Sequence, residues 1–365
     1  MSSMRIVQPS GIRIVITTPH EGGPFTYSKL LEEELTRRGI SVTIYSFGKV
    51  LYLPKGLRHL VFLFHLLKFS RGAHVVYAQD PVSTGFPTLL AARLTGKIFM
   101  LRIAGDYAWE QGRQFFGIAD TIDAFQKKHY AGRVETLRHM ERFVARHADR
   151  VIVPSNYFAS VIRGWGGVDP VVIYNGIQTG VVPQEPPVRV VPQTIVSVGR
   201  LVPWKGFETL IALLQKLPEW HLIIVGEGEM QATLERLADE LGVKSRVQFT
   251  GRLSREEIYG LFQKADVFVL NTSFESFSFL AVEAMDAGIP VIAGRTGSIP
   301  EIIRDGVDGI LIEPDNTTEI KEAIERVSAQ RELRSSLVAS AKERARKFSI
   351  TRTADEFIRL TQENI

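Results

Sequence analysis

The chain has 365 residues, of which 45% are hydrophobic and 23% charged, and this composition excludes a disordered protein because so apolar a chain buries a sizeable core. The absence of cysteine excludes a disulfide scaffold, a thiolate-bound zinc, an iron–sulfur cluster and a cysteine nucleophile. The net charge of +4 is uneven: residues 1–180 carry 22 Lys and Arg against 13 Asp and Glu, so the first half is expected either to meet something anionic or to reflect composition drift alone.

Short β-branched runs alternate with helical patterns in the first half, which is typical of parallel α/β units. A helix over Tyr27–Arg38 ends at Gly39, as expected of a glycine that follows a helix. The basic and apolar segment 55–71 is predicted as a buried helix, and the alternative is a helix that lies in a bilayer interface. The strands are predicted at 12–17, 41–46, 74–79, 97–104, 150–155 and 170–175.

A proline-rich stretch at 181–193 cannot continue a helix and is predicted as a linker. A last helical pattern follows a break near Phe348–Ser349. We therefore predict an N-terminal domain over 1–180, a C-terminal domain over 194–349, and a helix within 350–365 that could pack back on the first domain. After the linker the predicted strands are TIVSVG, HLIIVG, RVQFTG, DVFVLN, PVIAG and GILIEP.

Open α/β sheets bind ligands at the carboxyl ends of their strands. Gly22 and Gly23 follow the first strand and precede a long helix, so a ligand could approach the backbone there while helix N–H groups face an anion. The alternative is a tight turn that needs positive φ. Neither this turn nor the glycines at 226–231 read G-x-G-x-x-G, which counts against an NAD-dependent oxidoreductase.

Two cations follow the first strand of the second domain. Arg200 and Lys205 lie five residues apart in the segment Gly-Arg-Leu-Val-Pro-Trp-Lys-Gly, and a helix is predicted to begin near Lys205. A bidentate guanidinium and an ammonium suit a diphosphate, whereas a pair of solvated surface charges is the alternative. The spacing does not match a P-loop.

Two carboxylates follow the strand DVFVLN. Glu275 lies in the turn, and Glu283 lies eight residues on, in a helix predicted to start around Ser278. Two carboxylates separated by a helix N-terminus can accept hydrogen bonds from hydroxyls at both ends of a ligand whose phosphates meet the helix N–H groups. A nucleotide sugar fits this pattern, and helix-capping or surface acids are the alternative.

Together, the GG turn, Gly-Arg-x₄-Lys-Gly and Glu-x₇-Glu resemble the retaining glycosyltransferases of the GT-B fold, in the large family 4 group. The resemblance implies two Rossmann-like parallel-sheet domains facing across a cleft, with the donor mainly on the second. It covers nearly the whole chain and extends to Pro154-Ser155-Asn156, Tyr174-Asn175-Gly176-Ile177 and Gly297–Ile303 with Gly306 and Gly309.

The resemblance also implies roles for residues. Arg200 and Lys205 would hold the diphosphate, Glu275 would hold the donor sugar, and Glu283 would hold the ribose. The expected catalytic residues are Asp106, Glu275, Arg200 and Lys205. The GG turn would belong to the donor site, and so would the backbone around Ser278, Phe279 and Leu280. Many relatives carry a catalytic-site His after the fourth strand, where this chain has Asp106. Asp106 would orient a donor-sugar hydroxyl or the acceptor, or else cap the next helix.

We expect transfer with retention by front-face attack, without a metal or cofactor, because the two cations replace the metal. The expected partners are a nucleotide sugar and a sugar- or lipid-linked acceptor, with peripheral membrane contact through the basic first domain and no nucleic acid. No signal peptide or membrane span is predicted, so the expected location is the cytoplasm or the inner face of a membrane. The alternatives are a nucleotide-sugar 2-epimerase of the same fold and a non-catalytic nucleotide-sugar-binding protein.

Overall fold

The computed structural model describes residues 11–20 and 22–365. The chain divides into two compact units, Met1–Gly176 with Ile350–Ile365, and Ile177–Ser349. In the described part of the chain, no helix combines the length and the apolar character that crossing a membrane requires.

The first unit contains one six-stranded sheet in which every pair of neighbours is parallel. Its strand order is β2-β1-β3-β4-β5-β6, so the order reverses between β1 and β3. The strands are β1 Arg13–Thr18, β2 Ser41–Ser46, β3 Val75–Ala78, β4 Ile98–Arg102, β5 Arg150–Val153 and β6 Val171–Val172. The helices are α1 Gly23–Arg37, α2 Lys55–Ser70, α3 Phe86–Thr95, α4 Tyr107–Phe115, α5 Ile122–Lys127, α6 Arg133–Arg146 and α7 Asn156–Arg163.

The second unit contains a second six-stranded parallel sheet, in the order β12-β11-β10-β7-β8-β9. The predicted α/β fold with two parallel sheets is therefore confirmed. The strands are β7 Thr194–Val198, β8 His221–Val225, β9 Val247–Phe249, β10 Val267–Leu270, β11 Val291–Gly294 and β12 Ile310–Ile312. The helices are α8 Phe207–Leu213, α9 Gln231–Glu240, α10 Arg255–Lys264, α11 Phe279–Ala287, α12 Ile299–Ile302, α13 Thr317–Ala329 and α14 Arg331–Ala345.

The last helix, α15 (Ile350–Gln362), belongs to the first unit. The ring of Phe357 lies 4.8 Å from that of Tyr77 on β3, and Thr353 Oγ1 donates to the carbonyl of Tyr174 at 2.8 Å. The predicted break near Phe348–Ser349 is present: the helical backbone is interrupted at Ser349, which is extended, before α15 begins. The helix is thus held by the core of the first unit, although it follows the second in sequence.

The segment 181–193, which we predicted as a linker, lies within the second unit, because the chain passes between units at Gly176–Ile177 and Ser349–Ile350. The amide of Gln184 donates to the carbonyl of Glu256 at 3.0 Å. A Cβ on Gly260 of α10 would lie 1.8 Å from the carbonyl oxygen of Gln184. The prolines keep this segment out of the sheet, as expected, but the segment is packed on α10.

Helix α1 begins at Gly23, four residues before the predicted start at Tyr27. Gly22, at φ +90°, ends the turn from β1, and Pro24 occupies the first helical turn, where its missing N–H costs nothing. The helix ends as predicted before Gly39, which has φ +81°.

Candidate functional site

The strand order of the second unit reverses between β10 and β7. In open parallel sheets a crevice forms at such a reversal, at the carboxyl ends of the two strands. The segment after β7 carries Arg200 and Lys205, and the segment after β10 carries Glu275 and leads into α11, which carries Glu283. The topology therefore brings the two predicted pairs of charged residues to neighbouring strand ends.

These two segments are hydrogen-bonded to each other. Thr272 Oγ1 and the amide of Ser273 both donate to the carbonyl oxygen of Trp204, at 3.1 and 2.9 Å. Asn271 Nδ2 donates to the carbonyl of Gly206 at 2.9 Å and to Asp315 Oδ1 at 2.8 Å. Because Asn271 is fully buried, these bonds fix the backbone on both sides of Lys205.

Gly206 ends the short 3₁₀ turn Pro203–Lys205 with φ +63°. A Cβ there would lie 2.3 Å from the carbonyl oxygen of Asn271. Glycine is therefore required both by the backbone conformation and by the close approach of the next strand end. Helix α8 begins at Phe207, immediately after this turn, so the predicted helix start near Lys205 is confirmed.

Lys205 Nζ forms an ion pair with Glu275 Oε1. The two side chains are only 14% and 12% exposed, so each charge compensates the desolvation of the other. The cation predicted to hold a diphosphate and the carboxylate predicted to hold the donor sugar are thus in direct contact. Their spacing in the sequence, 70 residues, gave no sign of this pair.

The backbone of Glu275 is held by a turn that follows β11. Gly297 has φ +53°, and a Cβ there would lie 2.1 Å from the carbonyl oxygen of Glu275. The amide of Ser298 donates to that same oxygen at 2.9 Å. The resemblance included Gly297 and Ser298, and the structure shows that they position the predicted sugar-binding turn.

Glu283 is held by Arg255 of α10, a residue that the sequence analysis missed. Arg255 Nε donates to Glu283 Oε1 at 2.7 Å, and its Nη2 donates to the carbonyl of Gln178 at 2.7 Å. Burial raises the pKa of the Glu283 carboxyl, and the Arg255 guanidinium opposes that rise. Arg255 stands at the start of an ordinary amphipathic helix, so only the fold shows its contact.

Helix α11 begins at Phe279, shortly after Glu275 in the sequence. Ser278 is its N-cap, and the Ser278 Oγ accepts from the amide of Ala281 at 3.2 Å. Phe279 and Leu280 are half-buried and occupy the first turn, whose N–H groups have no partner within the helix. The predicted helix start near Ser278 is therefore confirmed, and the first turn has no acidic side chain to repel an anion.

Arg200 is exposed and lies near Trp204, with 5.5 Å between its guanidinium carbon and the centre of the indole ring. Trp204 is buried, so it provides a fixed apolar surface beside the guanidinium. The structure does not place Arg200 in the Lys205–Glu275 pair.

The remaining predicted site residues belong to the first unit. Gly22, between β1 and α1, and Gly23, the first residue of α1, are exposed beyond the end of β1, where the strand order of that sheet reverses. A Cβ on Gly23 would have no atom within 4 Å, whereas Gly22 needs its positive φ. The tight-turn interpretation therefore describes Gly22, and donor binding by both glycines stays a prediction.

Asp106 is buried and caps α4. Its Oδ1 accepts from the amide of Trp109 at 2.8 Å, and its Oδ2 accepts from Gln126 Nε2 at 2.7 Å. Burial raises the pKa of Asp106. The capping alternative describes these contacts, and a role of Asp106 toward a donor or acceptor stays a prediction.

Asp106 also shares a hydrogen bond with Glu141 of α6, which is fully buried. Glu141 Oε2 accepts from the amide of Tyr107 at 3.1 Å. Burial, reinforced by the neighbouring Asp106 carboxylate, raises the pKa of Glu141 well above its ordinary value. The two carboxyls thus form a buried, mutually coupled pair, which the sequence did not reveal.

Within residues 11–20 and 22–365, no three His, Cys, Asp or Glu side chains are grouped so that they could hold a metal ion.

Two family models together match most of the chain. The model described as glycosyl transferases group 1 matches residues 183–344, and the glycosyl transferase 4-like domain matches residues 4–176. The chain belongs to the group 1 glycosyltransferases. The resemblance to this family is thereby confirmed, whereas retention and the implied residue roles stay predictions.

Curated relatives of this glycosyltransferase align over part of their length. An uncharacterized glycosyltransferase of Methanocaldococcus jannaschii is 38% identical over 151 residues, which are 40% of this chain and 39% of the relative. The D-inositol 3-phosphate glycosyltransferase of Mycolicibacterium smegmatis is 36% identical over 176 residues, which are 46% of this chain and 39% of the relative. The chain thus spans less than two thirds of the length of these relatives.

Solved structures share the fold over nearly the whole chain. The sucrose-phosphate synthase of Thermosynechococcus elongatus superposes with a TM-score of 0.80 at 20% identity, covering 96% of this chain and 98% of that one. Anabaena HepE in complex with UDP-glucose superposes with a TM-score of 0.76 at 19% identity, covering 96% of this chain and 100% of that one.

Proposed function

We propose that this protein transfers a sugar, with retention, from a nucleotide sugar to an acceptor hydroxyl. The observation that carries the proposal is the pairing of Lys205 with Glu275 and of Arg255 with Glu283, on the two sides of the start of α11. Both carboxylates are mostly buried, and each is compensated by a cation. Burying these charges costs desolvation free energy, which a structural role alone does not explain at the crevice where the two strands end.

In the proposed complex the diphosphate lies at the N-terminus of α11. The N–H groups of its first turn donate to phosphate oxygens, and Lys205 and Arg200 supply the positive charge. Glu283 accepts hydrogen bonds from the ribose hydroxyls. That Anabaena HepE holds UDP-glucose supports a nucleoside-diphosphate sugar as the donor.

The same residues would stabilise the transition state. When the glycosidic bond breaks, its electron pair leaves with the diphosphate, and positive charge develops on the sugar ring. Lys205 and Arg200 then face the growing negative charge, while the Glu275 carboxylate faces the sugar. The acceptor oxygen attacks from the side of the leaving group, and its proton passes to the departing phosphate, which gives retention without a protein nucleophile.

We further propose that the reaction needs no metal ion or other cofactor. Lys205 and Arg200 provide the charge that a divalent cation would otherwise supply to the diphosphate. The acceptor is a sugar- or lipid-linked hydroxyl, and the basic first unit makes peripheral contact with a membrane.

Substituting Lys205 with Ala tests the proposal at its central contact. The variant loses one charge-assisted bond to phosphate, so its affinity for the nucleoside diphosphate should fall about tenfold to a hundredfold. A thermal-shift screen of UDP-, ADP- and GDP-sugars selects the nucleotide, and calorimetry gives its dissociation constant. Lys264→Ala is the matched control, because Lys264 forms an exposed ion pair with Glu185 in the same unit. Equal affinities for the two variants would contradict the assignment of Lys205.

Product analysis separates the proposed transfer from its alternatives. A transferase consumes the nucleotide sugar at a rate that depends on the acceptor and forms a glycoside. Free nucleotide with an epimerised sugar and no acceptor requirement would identify a 2-epimerase instead. Tight binding without turnover of any donor, over a panel of sugar and lipid acceptors, would identify a binding protein.

A further inference from the structure

Helix α2 of the first unit has an apolar outward face. Leu57, Leu60 and Phe64 follow one another at i, i+3 and i+7, so they share one side of the helix. They are 49%, 55% and 68% exposed. A patch of large, exposed apolar side chains is typical of a surface that binds a partner molecule or a membrane.

The opposite face of α2 is packed on the sheet. Phe62 and Leu66 are fully buried, and the ring of Phe62 lies 5.1 Å from those of Tyr45 and Phe47. The interpretation that we favoured from sequence, a buried helix, therefore describes only this inner face. Since the helix is already anchored, its outward leucines and phenylalanine are not needed for the core.

Elements next to α2 also expose apolar side chains. Tyr52, just before α2, is 81% exposed, and Leu51 is also exposed. Helix α3 packs against α2 and exposes Leu94. We call Leu57, Leu60 and Phe64, with Lys68 and Arg71 at the end of the same face, the α2 surface.

The stretch of sequence that contains α2 carries charges of one sign. Between Glu34 and Asp80 the sequence contains seven Lys and Arg and no Asp or Glu. Lys68 and Arg71 are exposed, and neither is ion-paired with a carboxylate of residues 11–20 or 22–365. Asp80 is buried and accepts from the amides of its own turn, so it does not screen these cations.

We propose that the α2 surface docks on an anionic lipid bilayer. A helix of 16 residues is about 24 Å long and can lie in the plane of the interface, with its apolar residues among the acyl chains and its cations at the lipid phosphates. The exposed Tyr52 ring is amphipathic, as is typical of side chains at this depth. An exposed apolar helix face that ends in two cations favours an anionic bilayer over a protein groove.

That docking serves glycosyl transfer rests on the proposed function: a lipid-linked acceptor would be met at the membrane to which the first unit is bound. The docking itself depends only on the α2 surface, so it can be measured without a donor or an acceptor.

Vesicle sedimentation tests the apolar part of the α2 surface. The wild-type chain should bind vesicles of phosphatidylglycerol and phosphatidylcholine, and binding should weaken with added salt. Leu60→Ser/Phe64→Ser should bind at least about tenfold more weakly, because two inserted side chains are lost. Phe115→Ser/Phe116→Ser is the matched control, since these side chains are also exposed, at 62% and 42%, in the same unit.

The charged part is tested with vesicles of the same composition. Lys68→Glu/Arg71→Glu should lower binding to phosphatidylglycerol vesicles about tenfold or more. Lys127→Glu/Arg133→Glu makes the same change of net charge at exposed positions elsewhere in the first unit and should bind nearly as the wild type does. Vesicles of phosphatidylcholine alone should bind all variants weakly.

The proposal is wrong if the wild-type chain does not bind anionic vesicles, or if the α2 variants bind as their controls do. It is also wrong if Leu60→Ser/Phe64→Ser changes only the oligomeric state in sedimentation velocity, because the surface is then an interface between copies. Nucleoside-diphosphate affinity, measured on the same samples, should be unchanged by the α2 variants. If the wild-type chain binds vesicles but binds no nucleoside diphosphate, the proposed function is contradicted and the docking is not.

Discussion

Each glutamate of the candidate site is paired with a cation, and the two cations have different surroundings. Arg255 also donates to the carbonyl of Gln178, so it holds Glu283 in place whether or not a ligand is bound. Lys205 has Glu275 as its ion-pair partner, and a diphosphate would compete with Glu275 for it. We expect the Glu283 side chain to keep its position when the donor binds, and the Glu275 side chain to turn from Lys205 toward the sugar.

The buried pair of Asp106 and Glu141 predicts a pH dependence of stability. Because the folded-state pKa of Glu141 is raised above its ordinary value of 4.5, the folded chain holds its proton at pH values where the unfolded chain has lost it. The unfolded state then binds fewer protons, so the free energy of unfolding falls as pH rises through this window, by at most about 1.4 kcal/mol per pH unit for one proton.

Glu141→Gln resembles the protonated acid but cannot ionise. Its free energy of unfolding should therefore fall less than that of the wild type between about pH 5 and about pH 8. Denaturation with urea at several pH values measures the difference. Glu135→Gln, a substitution of a more exposed glutamate on the same helix, serves as the control. Parallel curves for wild type and Glu141→Gln would show that Glu141 is ionised in the fold.

At the scale of elements, the patterns of the sequence predicted the strands well, because each buried parallel strand is a short β-branched run between turn residues. Contacts between elements were not predictable in this way. The Lys205–Glu275 and Arg255–Glu283 pairs join residues far apart in sequence, and the packing of 181–193 on α10 depends on Gly260. The motifs therefore named candidate site residues, whereas only the fold shows which of them are in contact.

At Gly206 the segments after β7 and β10 lie so close that adding one methyl group should lower the free energy of unfolding. Gly206 and Gly242 have nearly the same φ, +63° and +68°, but only Gly206 has a neighbouring backbone within reach of a Cβ. Gly242→Ala should lower the free energy of unfolding by about 1 kcal/mol, the cost of a left-handed alanine. Gly206→Ala should lower it by roughly 1–3 kcal/mol more, because the β7 and β10 segments must move apart.

Urea unfolding of both variants checks this expectation, and nucleoside-diphosphate affinity checks its consequence for the site. Gly206→Ala should weaken binding, since Lys205 precedes it directly, while Gly242→Ala should not. Equal losses of stability would mean that the segments after β7 and β10 are not closely packed.

At the scale of the whole molecule, the proposed reaction should be independent of divalent metal. Turnover of the donor selected by the thermal-shift screen should be unchanged after treatment with EDTA, because Lys205 and Arg200 supply the charge at the diphosphate. Activity that is lost in EDTA and restored by Mg²⁺ or Mn²⁺ would contradict the proposed role of these cations.

The central claim is that the second unit binds the nucleotide through Glu283 and the sugar through Glu275. The most direct measurement is the affinity of the nucleoside diphosphate for Glu283→Gln and Glu275→Gln, which remove a charge and keep the side-chain volume. Glu283→Gln should bind about tenfold to a hundredfold more weakly, because the ribose loses a charged acceptor. Glu275→Gln should bind at least as tightly as the wild type, since free nucleotide lacks the sugar and Lys205 is released from its pair. Weaker binding to Glu275→Gln, with unchanged binding to Glu283→Gln, would contradict the account.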